Sequence, residues 1–126
     1  MTENSKPQKS RITFISRAAP YGQNKANLCL DMALASAVFE QDVNYIFFGD
    51  GVYQILKGQD GSAIESKTLG NALETLELYG IEKIYADRQS LEERDISESE
   101  LLSGMQIFDS DSITKIIESS DTVFNL

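Results

Sequence analysis

The stretch NYIFFGDGVYQILKGQ, residues 44–59, decides how the chain folds. Tyr45-Ile46-Phe47-Phe48 is a short continuous apolar run, the pattern of a strand buried on both faces. It stops at Gly49-Asp50-Gly51, and apolar residues resume at once with Val52, Tyr53, Ile55 and Leu56. A chain that leaves a buried strand and turns on two glycines has two ways to use such a segment. A single helical turn over VYQIL packs back on the sheet, or the corner meets a ligand or another subunit.

Working outward, similar strands alternate with helical patterns. RITFISR, residues 11–17, alternates and is β-rich. Pro20 and Gly22 punctuate a loop over residues 18–22. Asn24 or Asn27 is placed to cap a helix running to about Glu40. Gly58-Gln59-Asp60-Gly61 reads as a further turn. Leu69, Leu73, Leu76 and Leu78 fall at mostly helical spacing between Lys67 and Tyr79, with Gly80 as the stop. EKIYA, residues 82–86, is a third strand, followed by a short turn over LEERD that Ser90 can cap and another opening at Ser97. Met105–Phe108 is a fourth strand. Asp109 caps a helix through Ile113, Ile116 and Ile117, and DTVFNL closes the chain as a fifth strand. This βα alternation predicts a single flavodoxin-like layered α/β domain, with a mostly parallel five-stranded sheet and helices on both faces. The expected organisation is a disordered lead over residues 1–10 and one domain over 11–126.

Composition narrows the chemistry. The chain has 126 residues, net charge −9, no histidine and one cysteine. The charge opposes phosphate backbones, so no direct nucleic-acid binding is expected. The absence of histidine removes the commonest general base and metal ligand. A lone cysteine forms no internal disulfide and fits a reducing compartment. No apolar run reaches membrane-spanning length, so no membrane association is expected. The N-terminus lacks the apolar core of a secretory signal. Charge is uneven: Lys6, Lys9, Arg11, Arg17 and Lys25 face Glu3 alone in residues 1–25, whereas ten acids face Arg88, Arg94 and Lys115 from Asp87 onward. The acidic half reads as a solvated face rather than a metal site. No cofactor and no metal are expected.

In folds of this class ligands sit beyond the carboxyl ends of the strands. Residues 17–21, 49–53, 87–90 and 109–112 are placed there. Gly49-Asp50-Gly51 lacks the third glycine of a dinucleotide fingerprint and is followed by no P-loop lysine, so it reads as a tight turn. Asp87 ends the third strand, but a phosphoacceptor role would need an acidic pair after strand one and a lysine after strand five, both missing. Its plain role is to cap the turn that begins at Arg88. Cys29 lies about a turn into the first helix, among Leu28, Leu30 and Met32, away from every predicted strand end, and reads as a small core hydrophobe. The first helix carries two apolar stripes. Leu30, Ala33, Leu34, Ala37 and Val38 serve the sheet; Leu28, Met32, Ala35 and Phe39 form a second, which fits a subunit interface.

RAAPYG, FFGDGVYQILKGQD, LYGIEKIYADRQSLEERDI and SDTVFNL resemble the DsrE/DsrF/DsrH superfamily, most closely its DsrF/TusC branch. The likeness runs from about Arg11 to Leu126, and the GDGVYQIL corner and SLEERD turn are its most specific parts. The resemblance implies a cytoplasmic, non-catalytic subunit of a sulfur-relay (sulfurtransferase) complex. In that family three homologous chains assemble as an α2β2γ2 heterohexamer, serving tRNA 2-thiouridine synthesis or dissimilatory sulfur oxidation. It implies DsrE/TusD-like and DsrH/TusB-like subunits as partners, and a homo-oligomer is an open option for the isolated chain. The sulfur-carrying cysteine of the DsrE/TusD-type chain follows strand three, and that position falls at Asp87, which cannot hold a persulfide. TusC-type chains can have cysteine there, so the aspartate leans toward the DsrF-like side. Asp50, Tyr53, Asp87 and Arg88 are the expected binding residues, with Val52 or Ile55 expected to anchor a subunit contact. Two alternatives stay open: a single-cysteine persulfide carrier enzyme acting through Cys29, and a small-ligand binding module using the strand-end pocket.

Overall fold

The computed structural model describes residues 9–19, 24–56, 73–102 and 106–126. The expected turn at Gly58–Gly61, most of the lead and the first part of the helix expected from Lys67 lie outside these residues. Five strands form one sheet: β1 (Arg11–Ser16), β2 (Asp42–Phe47), β3 (Lys83–Asp87), β4 (Gln106–Phe108) and β5 (Thr122–Asn125). Their spatial order is β4-β3-β2-β1-β5, and every pairing is parallel.

Helix α1 (Lys25–Val38) joins β1 to β2. A 3-10 helix, Gly49–Ile55, follows β2, and residues 73–78 are helical before β3. Helix α2 (Arg88–Glu93) and a 3-10 turn, Glu98–Glu100, lead to β4, and α3 (Ser110–Glu118) leads to β5. The first four strands march in one direction across the sheet, so right-handed crossovers put their connections on one face. The return from β4 to β5 reverses the direction and carries α3 to the other face.

Strand alternation divides the core accordingly. Phe14, Tyr45 and Ile84 stand in register and pack with Cys29, Ala33, Leu76 and Leu91 on the crowded face. Rings continue this layer, with Phe14 5.2 Å from Phe124 and Tyr45 5.2 Å from Phe47. Ile15, Ile46 and Tyr85, one residue on, pack with Ile113 beneath α3. The central strand β2 is thus apolar on both sides, as its unbroken run requires. Each such side chain that is fully buried contributes roughly 1.5–3 kcal/mol.

Helix boundaries follow local chemistry. Asn24 occupies the N-cap position of α1 but makes no side-chain cap bond. Gly80 adopts φ +85°, the left-handed conformation that ends a helix. Asp87, not Ser90, caps α2, and Asp109 caps α3 by accepting from the Ser112 amide at 2.9 Å. Ser97 and Glu100 form a reciprocal capping box around the short 3-10 turn.

The orientation of α1 corrects the two-stripe expectation. Its buried line is Ala26, Cys29 and Ala33, with Leu30, Met32, Leu34 and Ala37 partly buried beside it. Small residues let the helix lie close to the sheet, and this line is rotated toward Met32 relative to the stripe centred on Leu30 and Leu34. Val38 is accordingly 62% exposed rather than seated on the sheet, and Met32 packs against the chain's own core. Leu28, Ala35 and Phe39 remain exposed, Phe39 at 75%.

Candidate functional site

The glycine corner packs back onto its own sheet. Val52, Gln54 and Ile55 are buried, so neither Val52 nor Ile55 is available as a subunit anchor. The reason is the close approach of Gly51 to β1, which draws the 3-10 helix over the end of that strand. Gln54 locks it there by donating to the Ser16 hydroxyl at 2.9 Å and the Ala18 carbonyl at 2.7 Å. Cys29 borders the same buried polar cluster, contrary to the expectation that it is remote from strand ends. It is completely buried, and burial pushes its thiol pKa up; hydrogen bonds with Tyr45 and Ser16 oppose this more weakly.

Docking the corner places its other side beside β3. Arg17, Phe48, Gly49, Asp50, Asp87, Gln89, Ser90, Glu93 and Arg94 line an open cleft of about 430 Å³ at the carboxyl edge of the sheet. Arg94 ties its walls together. Its guanidinium donates to Asp50 Oδ1 at 3.0 and 3.2 Å and to the Ser90 carbonyl at 3.1 Å, lies 3.6 Å from Glu93, and sits 6.0 Å from the centre of the Tyr53 ring. Arg17 lies 4.9 Å over the Phe48 ring. Because Asp50 is well exposed, its pair with Arg94 is worth about 1 kcal/mol or less.

Asp87 forms the floor. It is 2% exposed. Its Oδ2 accepts from the Ser90 amide at 2.9 Å and from the Ser90 hydroxyl at 2.6 Å. The Ser90 oxygen in turn accepts from the Gly49 amide at 2.8 Å, joining the two loops. Asp87 Oδ1 is buried and has no hydrogen-bond partner among the described residues.

Of the expected binding residues, Asp50 and Asp87 line this cleft. Tyr53 meets it through Arg94, and Arg88 is exposed and outside the described lining. Arg88 acts instead on Asp109, whose pKa is lowered chiefly by the Ser112 hydrogen bonds, with Arg88 and Lys115 adding to the effect. Sequence reasoning missed Glu93 and Arg94 as lining residues. The signal was present in the SLEERD turn, since residues 90 and 94 share one side of a helical turn.

The DsrE/DsrF-like family matches residues 10–126. This chain belongs to that family. It is 33% identical to the intracellular sulfur oxidation protein DsrF of Allochromatium vinosum, over 91% of this chain and 95% of that one. It is 37% identical to a TusC homolog of Vibrio parahaemolyticus, over 74% and 79% of the two chains, and 30% identical to that of Pseudomonas aeruginosa, over 91% and 97%. Among solved structures, the ychN protein of E. coli superposes with a TM-score of 0.80 at 24% identity, covering 93% of this chain and 99% of that one. That last likeness supports the layered parallel α/β fold and nothing finer.

Proposed function

We propose that this chain is a non-catalytic subunit of a cytoplasmic sulfur-relay complex, assembled with homologous DsrE/TusD-like and DsrH/TusB-like chains. The pathway served is tRNA 2-thiouridine synthesis or dissimilatory sulfur oxidation. One observation carries the reading: the single thiol, Cys29, is sealed in the core; the reading further takes Asp87 to stand where the resemblance puts the family's carrier cysteine. Thiolate is the reactive form, and burial disfavours it, which speaks against a carrier acting through Cys29. The names of the DsrF and TusC relatives support the sulfur-relay assignment. No helix among the described residues is long and apolar enough to cross a membrane.

Leu28, Ala35 and Phe39 support an interface on the outer side of α1. Leu28 is 49% exposed, and a Leu and Phe exposed beside Val38 are costly for a monomer to leave in water. Met32 contributes its edge only. Native mass spectrometry after co-expression with neighbouring homologous reading frames tests the proposal. A mixed oligomer containing this chain is expected. Recovery of this chain only as a monomer or homo-oligomer, with the partners folded and present, overturns it.

A further inference from the structure

We propose that the open edge of β5 pairs antiparallel with the same strand of a second copy of this chain, joining two five-stranded sheets into one. β5 lies at the end of the sheet order and is paired only with β1 among the described residues. Exposed edges are ordinarily blunted by charge, proline or shortness. The opposite edge, β4, is three residues long. β5 has neither a charged side chain nor a proline: Thr122, Val123 and Asn125 are exposed, and Phe124 is half-buried.

The backbone selects the register. Leu126 donates its amide to the Ile15 carbonyl, so by strand alternation Phe124 also faces β1, and Val123 and Asn125 turn their N–H and C=O groups to the open edge. Two copies related by a two-fold axis through this edge run antiparallel, with like faces on the same side. Val123 set opposite Asn125 of the second copy, and the reverse, uses every one of these groups, each pair exchanging two hydrogen bonds. Val123 set opposite itself would bring Asn125 against Asp121, whose amide is already given to the Arg11 carbonyl. The favoured register centres on Phe124 facing its own copy. A row of stacked rings crosses the sheet toward that point: Tyr45 lies 6.4 Å from Phe14, and Phe14 lies 5.2 Å from Phe124. The row ends at the half-buried Phe124. An identical ring from a second copy continues it at the close spacing of a non-hydrogen-bonded pair, whereas an unrelated strand would need an aromatic residue at that one place. The ring row therefore favours a second copy over another chain. This edge stands independently of the sulfur-relay proposal and apart from the outer side of α1.

Sedimentation velocity of the full chain over a concentration series tests it. A concentration-dependent dimer is expected. Val123→Pro removes an outward N–H but no bond to β1, a position where an edge strand accepts proline, and should abolish the dimer while far-UV circular dichroism stays native. Two double variants test the register without proline. Val123→Lys with Asn125→Lys sets like charges opposite at both pairs, as does Val123→Asp with Asn125→Asp. Each double variant should be monomeric alone, and an equimolar mixture of the two should regain the dimer. Phe39→Asp, on α1, should leave this dimer intact, which separates it from the mixed assembly proposed above. A native chain that stays monomeric throughout, a folded Val123→Pro chain that dimerises as before, or a mixture of the double variants that stays monomeric overturns the proposal. Loss of the mixed oligomer alone on Val123→Pro would assign the edge to a homologous chain and overturn it as well.

Discussion

Gly51 lies so close to Ser16 that a methyl group on its Cα would stand 1.9 Å from the Ser16 carbonyl oxygen. The contact is backbone to backbone, so no side chain can move to relieve it. It fixes the 3-10 helix over the end of β1 and thereby sets one wall of the cleft opposite Asp87.

Gly51→Ala should consequently destabilise the chain by on the order of 2–3 kcal/mol, through overpacking that the backbone must absorb. Gly80→Ala is the matched control. Nothing lies within 4 Å of its added methyl, so only the φ of +85° resists the change, at a cost of about 1–2 kcal/mol. Urea unfolding of both variants checks the order. Equal losses would mean that the corner yields more easily than its contact implies.

The buried thiol gives an alkaline signature. Burial raises the Cys29 pKa above its ordinary 9.0, and Tyr45 is raised well above 10.0. Each group holds its proton longer in the folded chain than in the unfolded one. Their contribution to stability is therefore complete below the unfolded values and is lost as pH rises through the folded ones. Stability should begin to fall near pH 9, and Cys29→Ala should remove the first part of that decline. The substitution itself should cost on the order of 1 kcal/mol at neutral pH. A pH series of denaturant midpoints measures both effects.

The acid limb has a contribution of opposite sign. Asp109 is exposed, but its bonds from Ser112 at the start of α3 hold its pKa below the ordinary 3.8. Its contribution is present above the unfolded value and disappears as pH falls through the folded one. Asp109→Ala should flatten stability below about pH 4 relative to the native chain and leave the alkaline limb unchanged. A native-like acid slope in the variant would show that the cap is formed equally in the unfolded chain.

Phe39 and Met32 separate assembly from folding. Phe39→Asp changes a residue that is mostly in water, so circular dichroism and the unfolding midpoint should stay near native while association is lost. Met32→Asp places a charge against core residues and should destabilise the chain by about 2 kcal/mol or more. Sedimentation velocity together with thermal unfolding checks the pair. Normal assembly of Phe39→Asp would move the interface off this side of α1.

Much of this architecture is legible in the sequence because its signals are local. The unbroken run at Tyr45–Phe47 announces a strand covered on both faces, Gly80 announces a helix stop, and Asp87 and Asp109 announce caps. What is less legible depends on packing between distant segments. The apolar residues of α1 fall on two sides in the sequence, yet the helix turns toward Met32 because Ala26, Cys29 and Ala33 allow a close approach to β1 and β2. The cleft is harder still. Asp50 and Asp87 are visible as strand-end residues, but Arg94 reaches Asp50 only once α2 has formed and the corner has docked on Ser16. The buried oxygen of Asp87, unpartnered among the described residues, has no sequence signature, since capping aspartates ordinarily keep their second oxygen in solvent.

The absence of an accessible sulfur carrier on this chain is the centre of the account, and intact-mass measurement under denaturing, non-reducing conditions tests it most directly. The chain is first incubated, alone and within the co-expressed complex, with a persulfide donor. The account predicts added sulfur on a partner chain and none on this one. Rapid, stoichiometric addition of sulfur to Cys29 in the folded chain would contradict it.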